Sequence, residues 1–173
     1  LNFATFQALI PALLGEWSIT NTEAGWISGA YFAGYVVAVP LLVGLTDRVD
    51  ARAVLLASLV LAALASAAFA IFATGFWSAL VLRTLQGVGL AGTYMTGLKA
   101  LTDRIEGPRQ SRNIAFYTAS FGVGAALSFV AAGEASAAAG WRLPFIVAAA
   151  GCAVAFLMIW FGVPRHAPVR GIE

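Results

Sequence analysis

Residues 24–43, 53–73, 113–132 and 143–163 contain no Asp, Glu, Lys or Arg, and 79–98 is interrupted only by Arg83. A helix that crosses a bilayer needs about 20 mainly apolar residues to traverse roughly 30 Å of hydrocarbon, and each run has that length. The chain is 61% hydrophobic over 173 residues, with a mean hydropathy of +0.87. One core cannot hide so much apolar surface, so lipid must solvate the excess. A sixth run, 1–14, is also uncharged but short, covering about 21 Å at the helical rise. The sequence opens on Leu1 rather than Met, so this first span is expected to be truncated at its start. It has no basic n-region and no small-residue cleavage site, and it is not read as a signal peptide. The expected fold is an all-α membrane protein of six transmembrane helices. They span about 1–14 (partial), 24–43, 53–73, 77–99, 113–132 and 143–163, and 164–173 begins a cytoplasmic linker.

Polar breaks at 15–23, 44–52, 74–78, 99–112 and 133–142 separate the spans. Arg48, Arg52, Lys99, Arg104, Arg109, Arg112, Arg165 and Arg170 all fall in one alternate set of breaks, whereas the other set holds only Arg142. Short loops rich in Lys and Arg stay cytoplasmic, so 44–52, 99–112 and the tail are expected inside. A bacterial inner (plasma) membrane is the expected location. Asn21 or Thr22 ahead of Glu23 is the expected cap of the second helix, and Gly107-Pro108 marks a turn. Trp17, Trp26, Trp77 and Trp141 gather at the outer breaks, as an interfacial aromatic belt does.

The spans differ in texture. Segments 53–73 and 143–163 are almost wholly aliphatic or aromatic and suit lipid. The others carry polar or small residues at helical spacing. Asn113, Tyr117, Ser120, Gly124 and Ser128 share a face of the fifth span. Ser28, Tyr31 and Tyr35 share one face of the second, and Gly25, Gly29 and Ala33 another. Arg83, Gln86, Gly87, Leu90, Tyr94 and Gly97 share a face of the fourth, and Gln7 is the polar candidate on the first. The glycines (Gly25, Gly29, Gly87, Gly124) read as helix-packing positions. A buried phenol needs a partner or water, which makes the tyrosines candidate cavity residues.

Two places concentrate the chemistry. Arg83 lies within a span, where an arginine costs roughly 2.5–3.5 kcal/mol on insertion scales and faces a cavity or partner. About 9 Å inside the helix entry near Trp77, it is also within snorkelling reach of the outer surface. The break GLTDRVDAR (44–52) crowds four charges into nine positions. It reads either as a water-facing loop or as a latch.

RTLQGVGLA (83–91) resembles the fourth-helix signature R-x-x-Q-G-x-G-x-A of the major facilitator superfamily at every specified position. GLTDRVDAR resembles that superfamily's loop signature between helices 2 and 3, G-x-x-x-D-R-x-G-R-R. Asp47, Arg48 and Arg52 fall on its Asp, first Arg and last Arg. Gly44 sits one residue late, Asp50 replaces a Gly and Ala51 replaces an Arg. GWRLPF (140–145) resembles the segment before the sixth helix. The resemblance covers the whole chain, as the six-helix N-terminal half of a twelve-helix transporter.

That resemblance implies a half-bundle of 3+3 inverted repeats that carries a small solute by alternating access. Coupling to an ion or proton gradient, or to counter-substrate, goes with it. It implies that helices 1 and 4 line the cavity and that 2 and 5 meet a C-terminal half missing from this chain. It assigns Arg83, Gln86, Tyr94, Gln7, Tyr31, Tyr35, Tyr117 and Ser120 to the cavity or to coupling. Asp47, Arg48, Arg52 and Asp103 become a cytoplasmic gate, in which Asp47 engages a helix N-terminus of the other half and an arginine pairs with Asp103. No acid for coupling lies within 1–14. At FGVGAALS, Gly124 precedes Ala125, not the Pro of the proton-antiporter signature, which argues against a drug/proton antiporter.

Other classes fit less well. An intramembrane protease of the six-helix rhomboid type needs a membrane-embedded Ser and a neighbouring His, but the sole histidine, His166, follows the last span. One Cys and one His cannot close a metal site, so neither metal nor other cofactor is expected. The charge of +2 is too small to point to nucleic acid. Cys152 is the sole cysteine, which excludes an internal disulfide. A non-transporting membrane scaffold is the alternative to a transporter. The expected partners are the lipid bilayer, a small-molecule substrate and the second half.

Overall fold

A computed structural model describes residues 2–102, 107 and 109–163. Among these residues six helices follow one another: α1 (Asn2–Trp17), α2 (Asn21–Leu45), α3 (Ala51–Phe72), α4 (Phe76–Thr102), α5 (Arg109–Ala139) and α6 (Arg142–Gly162). Four of the described helices, α2, α3, α5 and α6, are long and apolar enough to cross a membrane.

The helix boundaries follow local chemistry. α2 is capped by Thr20, one residue ahead of the positions expected from sequence. The Glu23 amide donates to Thr20 Oγ1 at 3.2 Å, and the Thr20 amide donates to Glu23 Oε2 at 2.7 Å. This reciprocal box needs three-residue spacing to its acid, which Thr20 has and Asn21 or Thr22 lacks. Asp50 caps α3 by accepting from the Arg52 amide at 2.9 Å. α5 runs to Ala139, through most of the expected break at 133–142. Residues 135–139 (ASAAA) are strong helix formers, and the helix stops where Gly140 turns to φ +81 and donates to the Ser136 carbonyl.

α4 is the centre of the packing, lying along both α2 and α3; α3 also packs on α6, and α1 on α5. Close approach is set by glycines. A methyl group at Gly34 would fall on the Thr84 carbonyl, and one at Gly87 on the Tyr31 carbonyl, so α2 and α4 touch backbone to backbone. Gly89 and Gly92 admit Ala62 and Ser58 of α3 in the same way. Of the packing glycines expected from sequence, only Gly87 serves this role. Gly25, Gly29 and Gly124 meet no neighbouring atom within 4 Å of where a methyl group would stand. α3 is not the lipid-facing span its composition suggests, because Val54, Ser58, Ala62, Ala65, Ser66 and Phe69 are buried. Small residues at i, i+3, i+4 spacing let α4 and α6 close on it.

Aromatic rings fill one end of the bundle. Phe69 stacks on Phe145 at 4.1 Å, and Trp141 meets Trp17 edge-on at 5.1 Å. Trp141 is therefore buried and Trp17 half-buried in the core, while Trp26 and Trp77 are exposed as interfacial anchors should be. Many exposed side chains of α5 and α6, among them Phe116, Val123, Leu127, Met158 and Phe161, are large and apolar. Lipid is the solvent that suits them.

Candidate solute cavity

A cavity of about 380 Å³ opens between the helices. α4 supplies Gln86, Leu90, Thr93 and Tyr94; α5 supplies Tyr117 and Phe121; α1 and α2 contribute Phe3 and Tyr31. Its remaining wall comes from Leu59 and Ala62 of α3 and from Gly151, Cys152 and Ala155 of α6. Gln86 lies about 15 Å from the start of α4 at the helical rise, in a helix of 27 residues. A second hollow of about 240 Å³ adjoins it, lined by Phe3, Tyr94, Tyr117, Ser120, Phe121, Gly124 and Ala125.

The side chains that meet there are ordered by one another. Tyr117 donates to the Tyr94 carbonyl at 2.8 Å, and the two rings stack at 5.4 Å and 26°. Gly97, a turn below Tyr94, leaves the room that the Tyr117 hydroxyl occupies. Phe121 tilts against Tyr94 at 5.0 Å and against Phe3 at 5.6 Å. Ser120 is exposed and returns its hydroxyl to the Tyr117 carbonyl at 2.6 Å.

Arg83 stands behind this wall rather than on it. It is fully buried, and its side chain runs inward, not out to the surface. Nη1 donates to Gln86 Oε1 at 2.8 Å, and Gln86 Nε2 reaches the Ala65 carbonyl at 3.4 Å. The guanidinium lies 4.2 Å over the Tyr31 ring and 5.1 Å from the Phe6 ring, so cation–π contacts hold it between α1 and α2. Tyr31 is also fully buried, and its hydroxyl has no hydrogen-bond partner among the described residues. Tyr35, half-buried one turn on, is not on the cavity wall. Gln7 is not on it either; its Oε1 is buried without a partner among the described residues.

Among the described residues the charged loop makes two contacts that its sequence did not announce. Asp47 pairs with Lys99 near the end of α4 at 2.7 Å, a partner that its tally among basic loop residues had hidden. Arg52 is buried, donates to the Trp160 carbonyl at 2.6 Å and lies over the Trp160 ring at 5.4 Å. Among the described residues it serves α6. Arg48 is exposed. Asp103 lies outside the described residues, as does His166.

Sequence reasoning missed Phe3, Phe121, Thr93 and the α3 and α6 wall. Phe121 stands four residues after Tyr117, on the same helix face, and that spacing was legible.

The five fixed positions of the α4 motif, Arg83, Gln86, Gly87, Gly89 and Ala91, are all buried. A motif set wholly inside a helix bundle reports on packing and on a shared site, not on a surface. The profile of the Major Facilitator Superfamily matches residues 1–173. The chain belongs to that superfamily. It is similar to a probable sphingolipid transporter, spinster homolog 1, of Arabidopsis thaliana, at 27% identity over 91% of this chain and 32% of the relative. It is 26% identical to the niacin transporter NiaP of Acinetobacter baylyi, over 80% of this chain and 31% of the relative. A probable 4-methylmuconolactone transporter of Cupriavidus pinatubonensis is 29% identical over 73% of this chain and 29% of that protein. The chain thus spans about a third of the length of the curated relatives it matches. It is an integral membrane protein of a transporter family and not an enzyme.

Proposed function

We propose that the chain is the N-terminal half of a secondary transporter that moves a small solute by alternating access. Residues 1–163 form the half-bundle and 164–173 begin the linker to a second half. An ion or proton gradient, or a counter-substrate, drives the cycle. A pair of inverted three-helix repeats is supported by the packing. Exchanging α1 with α4, α2 with α5 and α3 with α6 turns the α2–α4 contact into α5–α1 and leaves α3–α6 in place, and all three contacts exist. The α3–α4 contact has only a slight counterpart in α1–α6, so the halves of the repeat have diverged in packing.

The observation that carries the transport reading is the cavity midway along α4, bounded by all six helices, with the buried Tyr31 and Gln86 among its lining residues. Transporter sites sit at such midplane positions between repeats. The basic loops 44–52 and 99–112 are assigned to the cytoplasm, and a bacterial inner membrane is the proposed location. Asp47, Lys99 and Arg48 mark the inner gate. Arg83, Gln86, Tyr31, Tyr94 and Tyr117 form the substrate or coupling site.

Accessibility tests this in the cysteine-free, full-length protein. Thr93→Cys should react with a membrane-impermeant maleimide in both right-side-out and inside-out vesicles. Ser111→Cys should react only in inside-out vesicles. Reaction of position 93 from one face alone removes alternating access, and reaction of position 111 from outside reverses the orientation.

A further inference from the structure

We propose that this half of the cavity is a stacking subsite for the flat conjugated ring of an uncharged solute, held by its faces against Phe3, Tyr94, Tyr117 and Phe121. The inference rests on the transporter reading and names the substrate class of that site.

The four rings are set apart by where they stand. They form one aromatic surface, with Tyr94 against Tyr117 at 5.4 Å, Tyr94 against Phe121 at 5.0 Å and Phe3 against Phe121 at 5.6 Å between centroids. Each is half-buried, and all four line both the hollow of about 380 Å³ and the adjoining one of about 240 Å³. No other described residue lines both. A ring face that borders a hollow lacks dispersion partners on that side, and a ligand supplies them. Another π system gains more there than a saturated body of the same size, because aromatic pairs add an electrostatic preference to the area they bury.

The polar groups of the two walls are already committed. Thr93 Oγ1 donates to the Gly89 and Leu90 carbonyls, each at 3.0 Å. Tyr117 donates to the Tyr94 carbonyl at 2.8 Å, and Ser120 to the Tyr117 carbonyl at 2.6 Å. Gln86 accepts from Arg83 through its oxygen and reaches the Ala65 carbonyl through its nitrogen. No Asp, Glu, Lys, Arg or His is among the described lining residues of either hollow. On this half of the site an ion would exchange its hydration for a wall without opposite charge, a cost that an uncharged ring avoids. The larger hollow, at about 380 Å³, falls within the roughly 300–1,000 Å³ of small-molecule sites.

Three probes separate flatness from charge. 2-Naphthol is flat and uncharged, trans-decahydro-2-naphthol is the same skeleton saturated and puckered, and 2-naphthoate is flat but ionised. Each is titrated as a protectant of Thr93→Cys against N-ethylmaleimide in the otherwise cysteine-free, full-length protein. 2-Naphthol should protect at a concentration at least about fivefold lower than its saturated partner, the factor that stacking on two or more rings supplies. 2-Naphthoate should need at least about tenfold more than 2-naphthol. Phe121→Leu removes one ring, keeps apolar volume and should shrink the flat-over-puckered preference at least about twofold. Phe116→Leu removes an exposed ring of α5 that lines neither hollow and should leave it unchanged. Equal protection by the two alcohols, protection by neither, protection by 2-naphthoate at the same or lower concentration, or like behaviour of the two leucine variants overturns the proposal. Where Phe121→Leu does not fold, the ratio between the two alcohols in the parent protein decides. If Thr93→Cys reacts from both faces while flatness makes no difference, the substrate class fails and alternating access stands. One-sided reaction with the preference for 2-naphthol intact overturns the transporter reading, and the ring is then a bound ligand and not a transported solute.

Discussion

The Arg52 guanidinium, in the first turn of α3, donates through Nη2 to the main-chain oxygen of Trp160, 2.6 Å away near the end of α6. α6 ends at Gly162, so this carbonyl is among the last four, which no helical N–H reaches. The same cation lies over the Trp160 ring. One buried side chain therefore caps a neighbouring helix and pins it to α3. Arg52→Met keeps the aliphatic packing and loses the charged hydrogen bond, a loss of about 1.5–3 kcal/mol. The thermal midpoint of the full-length protein in detergent should fall, and Arg52→Lys should recover only part of it because the planar stacking is absent. An unchanged midpoint in Arg52→Met would leave the contact without energetic weight.

Arg83 is tied to Gln86, Tyr31 and Phe6, so truncating it to Ala would empty packed volume as well as remove charge. Arg83→Met separates the two effects. It fills most of the space and leaves the Gln86 Oε1 without this donor, at a cost of about 1–3 kcal/mol. The protein should insert and remain folded by size-exclusion profile while uptake in proteoliposomes falls at least about tenfold. Arg83→Lys should rescue uptake poorly, since an ammonium cannot lie flat on two rings. Full uptake in Arg83→Met would reduce the residue to packing.

The number of helices and the importance of the α4 motif were legible because both rest on composition and spacing. Twenty uncharged residues force a helix in lipid, and the fixed positions of R-x-x-Q-G-x-G-x-A, from Arg83 to Ala91, are all buried. Which glycines pack was not legible. Gly25 and Gly29 carry the same four-residue spacing as Gly87 and Ala91, and only the neighbour's position tells them apart. The fate of Arg52 was hidden for a similar reason: its partner is a main-chain oxygen 108 positions away, and carbonyls leave no mark in sequence. The α3 wall of the cavity was hidden because a helix of Ala and Leu looks the same against protein as against lipid.

Gly34 and Gly87 hold the α2–α4 crossing at backbone contact, since an added methyl group would meet a carbonyl oxygen rather than a movable side chain. Gly87→Ala and Gly34→Ala should each lower expression and thermal midpoint sharply, overpacking of this kind costing about 1–3 kcal/mol or more. Gly25→Ala and Gly29→Ala disturb no contact among the described residues and gain helix propensity. They should leave the midpoint unchanged or slightly raised. If the two pairs behave alike, the backbone contact at Gly34 and Gly87 is not the determinant of packing.

Asp47 and Lys99 join the loop after α2 to the end of α4 at 2.7 Å, with Asp47 largely exposed. Both partners belong to this chain, so in the proposed two-half transporter the pair would position the Asp47 carboxylate for a partner rather than bridge the halves itself. An exposed pair contributes about 0–1 kcal/mol, which a two-state gate translates into a population change of up to roughly fivefold. Asp47→Asn should shift the full-length protein toward the inward-open state and lower turnover more than substrate affinity. Lys99→Gln should do so less, because the carboxylate remains. Combined in a double-mutant cycle, the two should show coupling of no more than about 1 kcal/mol that fades as salt rises and screens surface charge. Spectroscopic distances across the cytoplasmic end measure the populations. Additive changes with unchanged distances would leave these two charges as topology anchors, and the gate would have to be sought elsewhere in the loop.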